Sequence, residues 1–353
     1  MVRRGDAETP VRVYPFPEIT EILSKIGKTC RMSSGGVDRL TGLDALRGIA
    51  ALFVALNHAA FLGGHDETLL TRSYLAVDFF FMLSGFVMAR TYEGRMPPPL
   101  SFAWARFKRL WPLIAIGVVI GAARSLWGGG DIGVIAVQLA LALCFLPIWN
   151  GHFPLNGPAW SILFEVIANF LHSLWLRRLP RIALLVLAGI CALPLTLHDR
   201  MDTGQGPLIW FGLPRVLMSY CIGIYLWRAY ENAPPKIPAA CAYLGLPVIL
   251  IGASFVSRDF EIFLVLLCFP VIILAGLSFS TRLGPWLGAF SFPLYAVHWP
   301  VQVGLIIMGW TWQAAFGLSL LAAGVCGMIG DARFRSLLRS LPRTNRLALR
   351  RAV

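Results

Sequence analysis

An all-α, polytopic transmembrane helical bundle of about ten spans is the fold this sequence predicts, and three observations predict it. Hydrophobic residues make up 57% of the 353 positions and charged residues 14%, too little charge to clothe a soluble fold of this size. The apolar residues fall into eleven runs, most of them near the ~20 residues that cross a hydrocarbon core as a helix. Within the runs apolar residues do not alternate with polar ones, which excludes a membrane barrel.

The runs follow one another with little between them. The first, near 43–62, stops at Gly63-Gly64, and the second, 74–91, stops before Arg95 and Pro97-Pro98-Pro99. The third, 110–127, ends at Gly128-Gly129-Gly130. Then come 132–149, 159–176 and 182–197, the last two separated by Arg177, Arg178 and Arg181. The runs 208–227 and 238–256 flank Pro234-Pro235, and 260–280, 286–308 and 312–330 complete the set.

Charge counts the crossings. The N-terminal region, the 90–109 loop, the 177–181 turn and the C-terminal tail are all basic, and basic loops stay in the cytoplasm. Three runs separate the 90–109 loop from Arg177, so one of them is expected not to cross. Ten spans with both termini cytoplasmic, in a bacterial inner membrane, follow. Residues 1–40 read as a cytoplasmic extension without a secretory signal, with Met32 an alternative start. Residues 41–330 read as the membrane domain and 331–353 as a basic tail. Much of the +13 net charge sits in that tail, which holds Arg333, Arg335, Arg339, Arg343, Arg346, Arg350 and Arg351. Membrane orientation explains it better than nucleic-acid binding does.

Polar groups inside the runs are costly and mark function. Arg47 and His58 lie eleven residues apart in the first run, on one face and about 16 Å apart along a helix. With the expected topology His58, Asp78, Trp160, Ser161 and Glu165 all fall in the outer half of the bundle. The six histidines are dispersed and the seven cysteines scattered, so no metal site is expected. The triple glycine lacks the Lys-Ser pair of a phosphate-binding loop.

Four motifs carry a resemblance. They are Leu43-Asp44-Ala45-Leu46-Arg47-Gly48 with His58; Val77-Asp78-Phe79-Phe80-Phe81-Met82-Leu83-Ser84-Gly85-Phe86; Arg106-Phe107-Lys108-Arg109-Leu110-Trp111-Pro112; and Trp160-Ser161 with Glu165, joined late in the chain by Leu294-Tyr295-Ala296-Val297-His298-Trp299-Pro300. In this order the chain resembles the acyltransferase 3 family of integral membrane O-acyltransferases over about residues 40–330. Ala76 and Phe292 stand where that family usually has Gly and Tyr, and Asn57 where an apolar residue is usual. The resemblance implies transfer of an acyl group, often acetyl from acetyl-CoA, to hydroxyls of an envelope carbohydrate or related acceptor. It implies no tightly bound cofactor.

Acyl transfer to an alcohol needs a base, charge stabilisation and positioning of both substrates. Burial disfavours imidazolium, so His58 is the expected base, with Asp78 or Glu165 orienting its ring. Arg47, Arg106 and Arg109 are expected to hold the donor's phosphates, although Asp44 one turn away is an alternative partner for Arg47. Trp160, Ser161, Tyr295 and His298 are expected to line the substrate cavity. A transporter or flippase of an anionic or lipid-linked substrate would use similar intramembrane charges and is the alternative reading.

Overall fold

The computed structural model describes residues 40–65, 70–198, 201–202 and 206–340; the extension before Leu40, Met32 included, and the tail arginines Arg343, Arg346, Arg350 and Arg351 lie outside the described residues. No strand occurs among the described residues. Each apolar run is a helix. Seven are long and apolar enough to cross a membrane: α1 (Thr41–Leu62), α2 (Ser73–Tyr92), α3 (Pro99–Trp127), α7 (Gly206–Tyr230), α9 (Arg258–Leu277), α10 (Gly284–Ile307) and α11 (Trp312–Gly330). Four are shorter: α4 (Ile132–Leu143), α5 (Ala159–Leu174), α6 (Arg181–Leu197) and α8 (Ala239–Phe255). A polar helix, α12 (Ala332–Ser340), follows the last span.

Two helix pairs organise the bundle, and both are parallel. Along α1 and α10, Asp44 meets Gly288, Arg47 meets Ser291 and His58 meets His298, so both chains advance together. Along α2 and α7, Asp78 meets Arg215, Gly85 meets Tyr220 and Glu93 meets Arg228. Parallel neighbours require an odd number of crossings between them. Four helices separate α2 from α7 and eight separate α1 from α10, so in each interval one does not cross. The 12-residue α4 is about 18 Å long, well short of the ~30 Å core.

Its contacts show why α4 turns back. It leaves the triple-glycine loop at the end of α3 and leans on α3, where the Trp111 indole donates to the Leu143 carbonyl at 3.0 Å. Phe145 then adopts φ 60°, a left-handed turn uncommon for a bulky residue. The chain climbs back until Leu155 lies against Gly121. This re-entrant hairpin leaves ten crossing segments, with the N-terminus of α1 and the C-terminus of α11 on one face. That face carries Arg106, Arg109, Arg177 and Arg228 and is called basic below; the opposite face is called distal.

Glycines let the paired helices touch backbone to backbone, as membrane packing without a hydrophobic drive requires. A Cβ at Gly223 would overlap the Met82 carbonyl, and one at Gly85 the Tyr220 carbonyl. The α1·α10 pair closes in the same way at Gly48 and Gly284.

Candidate active site

The site forms where α1 and α10 face each other in the distal half. Pro293 and Pro300 both lie inside α10. Pro300 has no N–H, so the Ala296 carbonyl four residues earlier loses its helical partner. Asn156, on the returning arm of the hairpin, donates its side-chain amide to that carbonyl at 2.9 Å. This contact ties the re-entrant loop to the turn of α10 that holds His298.

His58 Nδ1 and His298 Nε2 lie 2.8 Å apart. Their ring planes differ by 5° with centroids 5.1 Å apart, so the rings meet edge to edge in one plane, with the lone pair on the hydrogen-bond axis. The other nitrogen of His298 fixes the direction. Its Nδ1 faces the Leu294 carbonyl at 2.9 Å and the Tyr295 carbonyl at 3.0 Å. Carbonyls only accept, so this nitrogen carries the proton and the neutral ring has a bare Nε2. His58 must then donate from Nδ1, which leaves its own Nε2 as an unprotonated acceptor. His298 is fully buried, whereas His58 is partly exposed.

Aromatic and hydroxyl groups pack around the pair. Trp299 presents an edge to the His58 ring with centroids 5.0 Å apart, and Gly157 lies against that indole. One turn before His298, the Tyr295 hydroxyl meets Ser161 Oγ at 2.5 Å and donates to the Pro158 carbonyl at 3.0 Å. These bonds brace the start of α5 against α10.

The charged residues form separate groups. On the basic side, Arg47 donates to Ser291 at 3.0 Å and the Gly288 carbonyl at 2.5 Å, and pairs with Asp44 at 3.3 Å. Buried Arg106 reaches Glu165 at 3.3 Å, and Glu165 also accepts from Ser84 at 3.0 Å. Arg109, three residues on, is exposed. On the distal side, Arg215 Nη2 and Nε both reach Asp78, the closest contact being 2.7 Å. Ser219 donates to the same carboxylate at 3.4 Å.

Three expectations are corrected by this geometry. The orienting partner of His58 is an imidazole, not Asp78 or Glu165, because each carboxylate is held by an arginine on another helix. His298 does not line a substrate cavity; both of its ring nitrogens are engaged inside the protein. Trp160, Ser161 and Tyr295 are likewise buried, and the two hydroxyls are spent on each other and on Pro158.

The family model described as an acyltransferase domain, that of acyltransferase 3, matches residues 40–330. The chain belongs to the acyltransferase 3 family. It is therefore an integral membrane O-acyltransferase, and the transporter alternative falls away. A protein of Rhizobium radiobacter named protein 2 in the picA locus is 38% identical over 168 residues, covering 41% of this chain and 86% of its own length. An acyltransferase of Streptomyces mycarofaciens is 27% identical over 361 residues, with 83% and 89% covered. A Komagataeibacter xylinus protein, provisionally named a membrane-bound transacylase, is 27% identical over 296 residues, with 74% and 73% covered. No solved structure matches the chain.

The acyltransferase also holds buried charges that the sequence reading passed over. Arg215 sits in the 208–227 run and Glu261, which accepts from Arg72 and from the Tyr74 hydroxyl, opens the 260–280 run. Both are ionisable groups at membrane depth, the same signal that singled out Arg47 and Glu165. Matching each such charge to one of opposite sign would have found the Asp78–Arg215 pair.

Proposed function

We propose that this acyltransferase moves an acyl group, acetyl foremost, from acyl-CoA to a hydroxyl of an envelope carbohydrate or related acceptor, with His58 as general base. One observation carries the reading: a histidine at membrane depth held in a single tautomer by a second histidine, with Nε2 left to accept a proton.

The basic face is assigned to the cytoplasm by the positive-inside bias, in a bacterial inner membrane with both termini inside. Donor phosphates then meet Arg47, Arg106 and Arg109 on that side of the bundle. Guanidinium forks suit phosphate oxygens. The pantetheine arm spans the roughly 16 Å from Arg47 to His58 along α1 and brings the thioester to the distal half.

There His58 Nε2 takes the proton of the acceptor hydroxyl as its oxygen attacks the thioester carbon. The tetrahedral intermediate collapses, the C–S bond breaks, and the leaving thiolate takes the proton back from the imidazolium. His298 acts as a positioning residue. Its bare Nε2 holds the Nδ1–H of His58 and steadies the transient cation, the role a carboxylate plays in other His-based sites.

Purified protein in proteoliposomes, supplied with labelled acetyl-CoA and candidate glycans, tests this. Replacing His58→Ala is expected to lower acyl transfer by about 10²–10⁴-fold, the range for a general base, while insertion and thermal stability stay unchanged. Retained activity would overturn the assignment.

A further inference from the structure

A cleft of about 280 Å³ opens on the distal face between the end of α3 and the end of α10, lined by Arg124, Ser125, Trp127, Gly304, Ile307 and Met308. The histidine pair does not use it. Its chemistry is two-sided. Trp127, Ile307 and Met308 are 79%, 67% and 53% exposed and give the mouth an apolar wall at the level where a span meets its headgroups. Arg124 supplies a cation at the floor. Its Nη2 donates to Ser125 Oγ at 3.0 Å and to the Pro154 carbonyl at 3.3 Å, but its Nε is buried without any acceptor. That Nε is sealed from the cleft as well as from water, but Arg124 as a whole is partly exposed and lines the cleft, so an anion there meets the open part of the guanidinium and offsets its charge. Gly304, whose Cβ would stand 3.7 Å from the Arg124 Cγ, leaves that space open.

We propose that this cleft binds a phosphate-bearing lipid, the phosphate on Arg124 and Ser125 and the chain along Trp127, Ile307 and Met308. The apolar wall selects a lipid phosphate over a soluble one, because a free anion gains nothing from it. Gly304 lies six residues beyond His298, about 9 Å along the axis. A group linked to the phosphate therefore sits within reach of His58. Taking this lipid as the carrier of the acceptor hydroxyl rests on the acyl-transfer reading above; its binding does not.

The test uses the full chain in phosphatidylcholine nanodiscs, with spin-labelled phosphatidic acid as probe and equally labelled diacylglycerol as control. Wild type is expected to retain phosphatidic acid over diacylglycerol, and Arg124→Gln to weaken that retention about tenfold, the loss of roughly 1.4 kcal/mol. Gly304→Leu keeps the arginine and fills the space, so it should displace the lipid even if Arg124→Gln folds poorly. His58→Ala should bind as wild type does. Equal retention by wild type and both variants overturns the site, and full displacement by inorganic phosphate at matched concentration overturns the lipid assignment. Loss of the base without loss of lipid, or the reverse, separates failure of the two proposals.

Discussion

The α1·α10 and α2·α7 pairs are built alike and end in opposite chemistry. Each joins two parallel helices through glycine contacts, and each buries one polar pair in the distal half. In α2·α7 that pair is Asp78–Arg215, a carboxylate and a guanidinium almost wholly enclosed, with Ser219 and the Tyr74 carbonyl occupying further lone pairs and protons. Among the described residues, both carboxylate oxygens of Asp78 are taken by donors of the protein itself. In α1·α10 the pair is His58–His298, two neutral rings in a chain of donors that terminates on an unused nitrogen. A saturated pair fixes helices. An unsaturated one can do chemistry.

The largest expected effect breaks the saturated pair. Arg215→Met leaves Asp78 as an unpaired buried charge, at a cost of about 3–5 kcal/mol. The variant should fail to yield monodisperse protein in detergent. Adding Asp78→Leu removes the orphan charge and should restore most of the yield, because a packed apolar pair is often as stable as a buried ion pair. If the single variant is as stable as wild type, the contrast between the two pairs is lost.

Breaking the other pair should leave the fold and change the rate. His298→Leu removes the acceptor for His58 Nδ1–H, so the ring can turn or take the other tautomer. A fall of about 10²-fold in kcat is expected, the low end of a general-base contribution, with little change in donor KM. His298→Gln offers a carbonyl oxygen to the same N–H and should recover part of the rate. A donor KM effect without a kcat effect would move His298 to substrate binding.

How legible was this contrast in the sequence? The eleven runs were, and so was the fact that one of the three runs before Arg177 does not cross, though not which one, because run length and arginine placement reflect the same bilayer that the helices must cross. Arg47, His58, Asp78 and Glu165 were legible as expensive groups in hydrocarbon, and Arg106 as a basic residue at the entry of a span. Their pairing was not. A depth argument put Asp78 level with His58, but depth says nothing about which side of a helix faces which neighbour. Asp78 turns toward α7 and Arg215, while His58 turns toward α10. His298 stood in a quoted motif, yet its role depends on the Leu294 and Tyr295 carbonyls of its own helix, and no spacing rule reports those.

Packing gives a smaller effect that ranks the two pairs by closeness. A methyl group at Gly223 would strike the Met82 carbonyl, which is backbone and cannot rotate away. Gly223→Ala should therefore cost about 1–3 kcal/mol, as overpacking does, seen as a lower Tm in detergent. Gly324 on α11 has open space around its Cβ position, so Gly324→Ala should change the Tm little. Equal losses at both sites would show that close approach does not set the cost, since helix propensity alone favours Ala over Gly.

The smallest effect lies where α2 and α7 reach the basic face. Glu93, one residue past the end of α2, accepts from Arg228 Nη2 at 2.6 Å and from its Nε at 2.8 Å, and lies 3.5 Å from His172 Nε2. Burial pushes its carboxyl upward, but the nearby His172 ring and the bonds from Arg228 outweigh burial and hold it below the ordinary carboxylate range. A carboxyl depressed in the folded state stabilises fully above its unfolded value, near 4.3, and that stability is lost as pH falls through the folded value. Wild type should then lose Tm between pH 5 and pH 3 more steeply than Glu93→Gln, which has nothing to titrate there. The group keeps some contact with water, so the difference should amount to a few degrees at most. If the two curves run parallel, the clamp at the foot of α2·α7 is held by Arg228 bonding to the Leu179 and Arg177 carbonyls, and the carboxylate adds nothing to it.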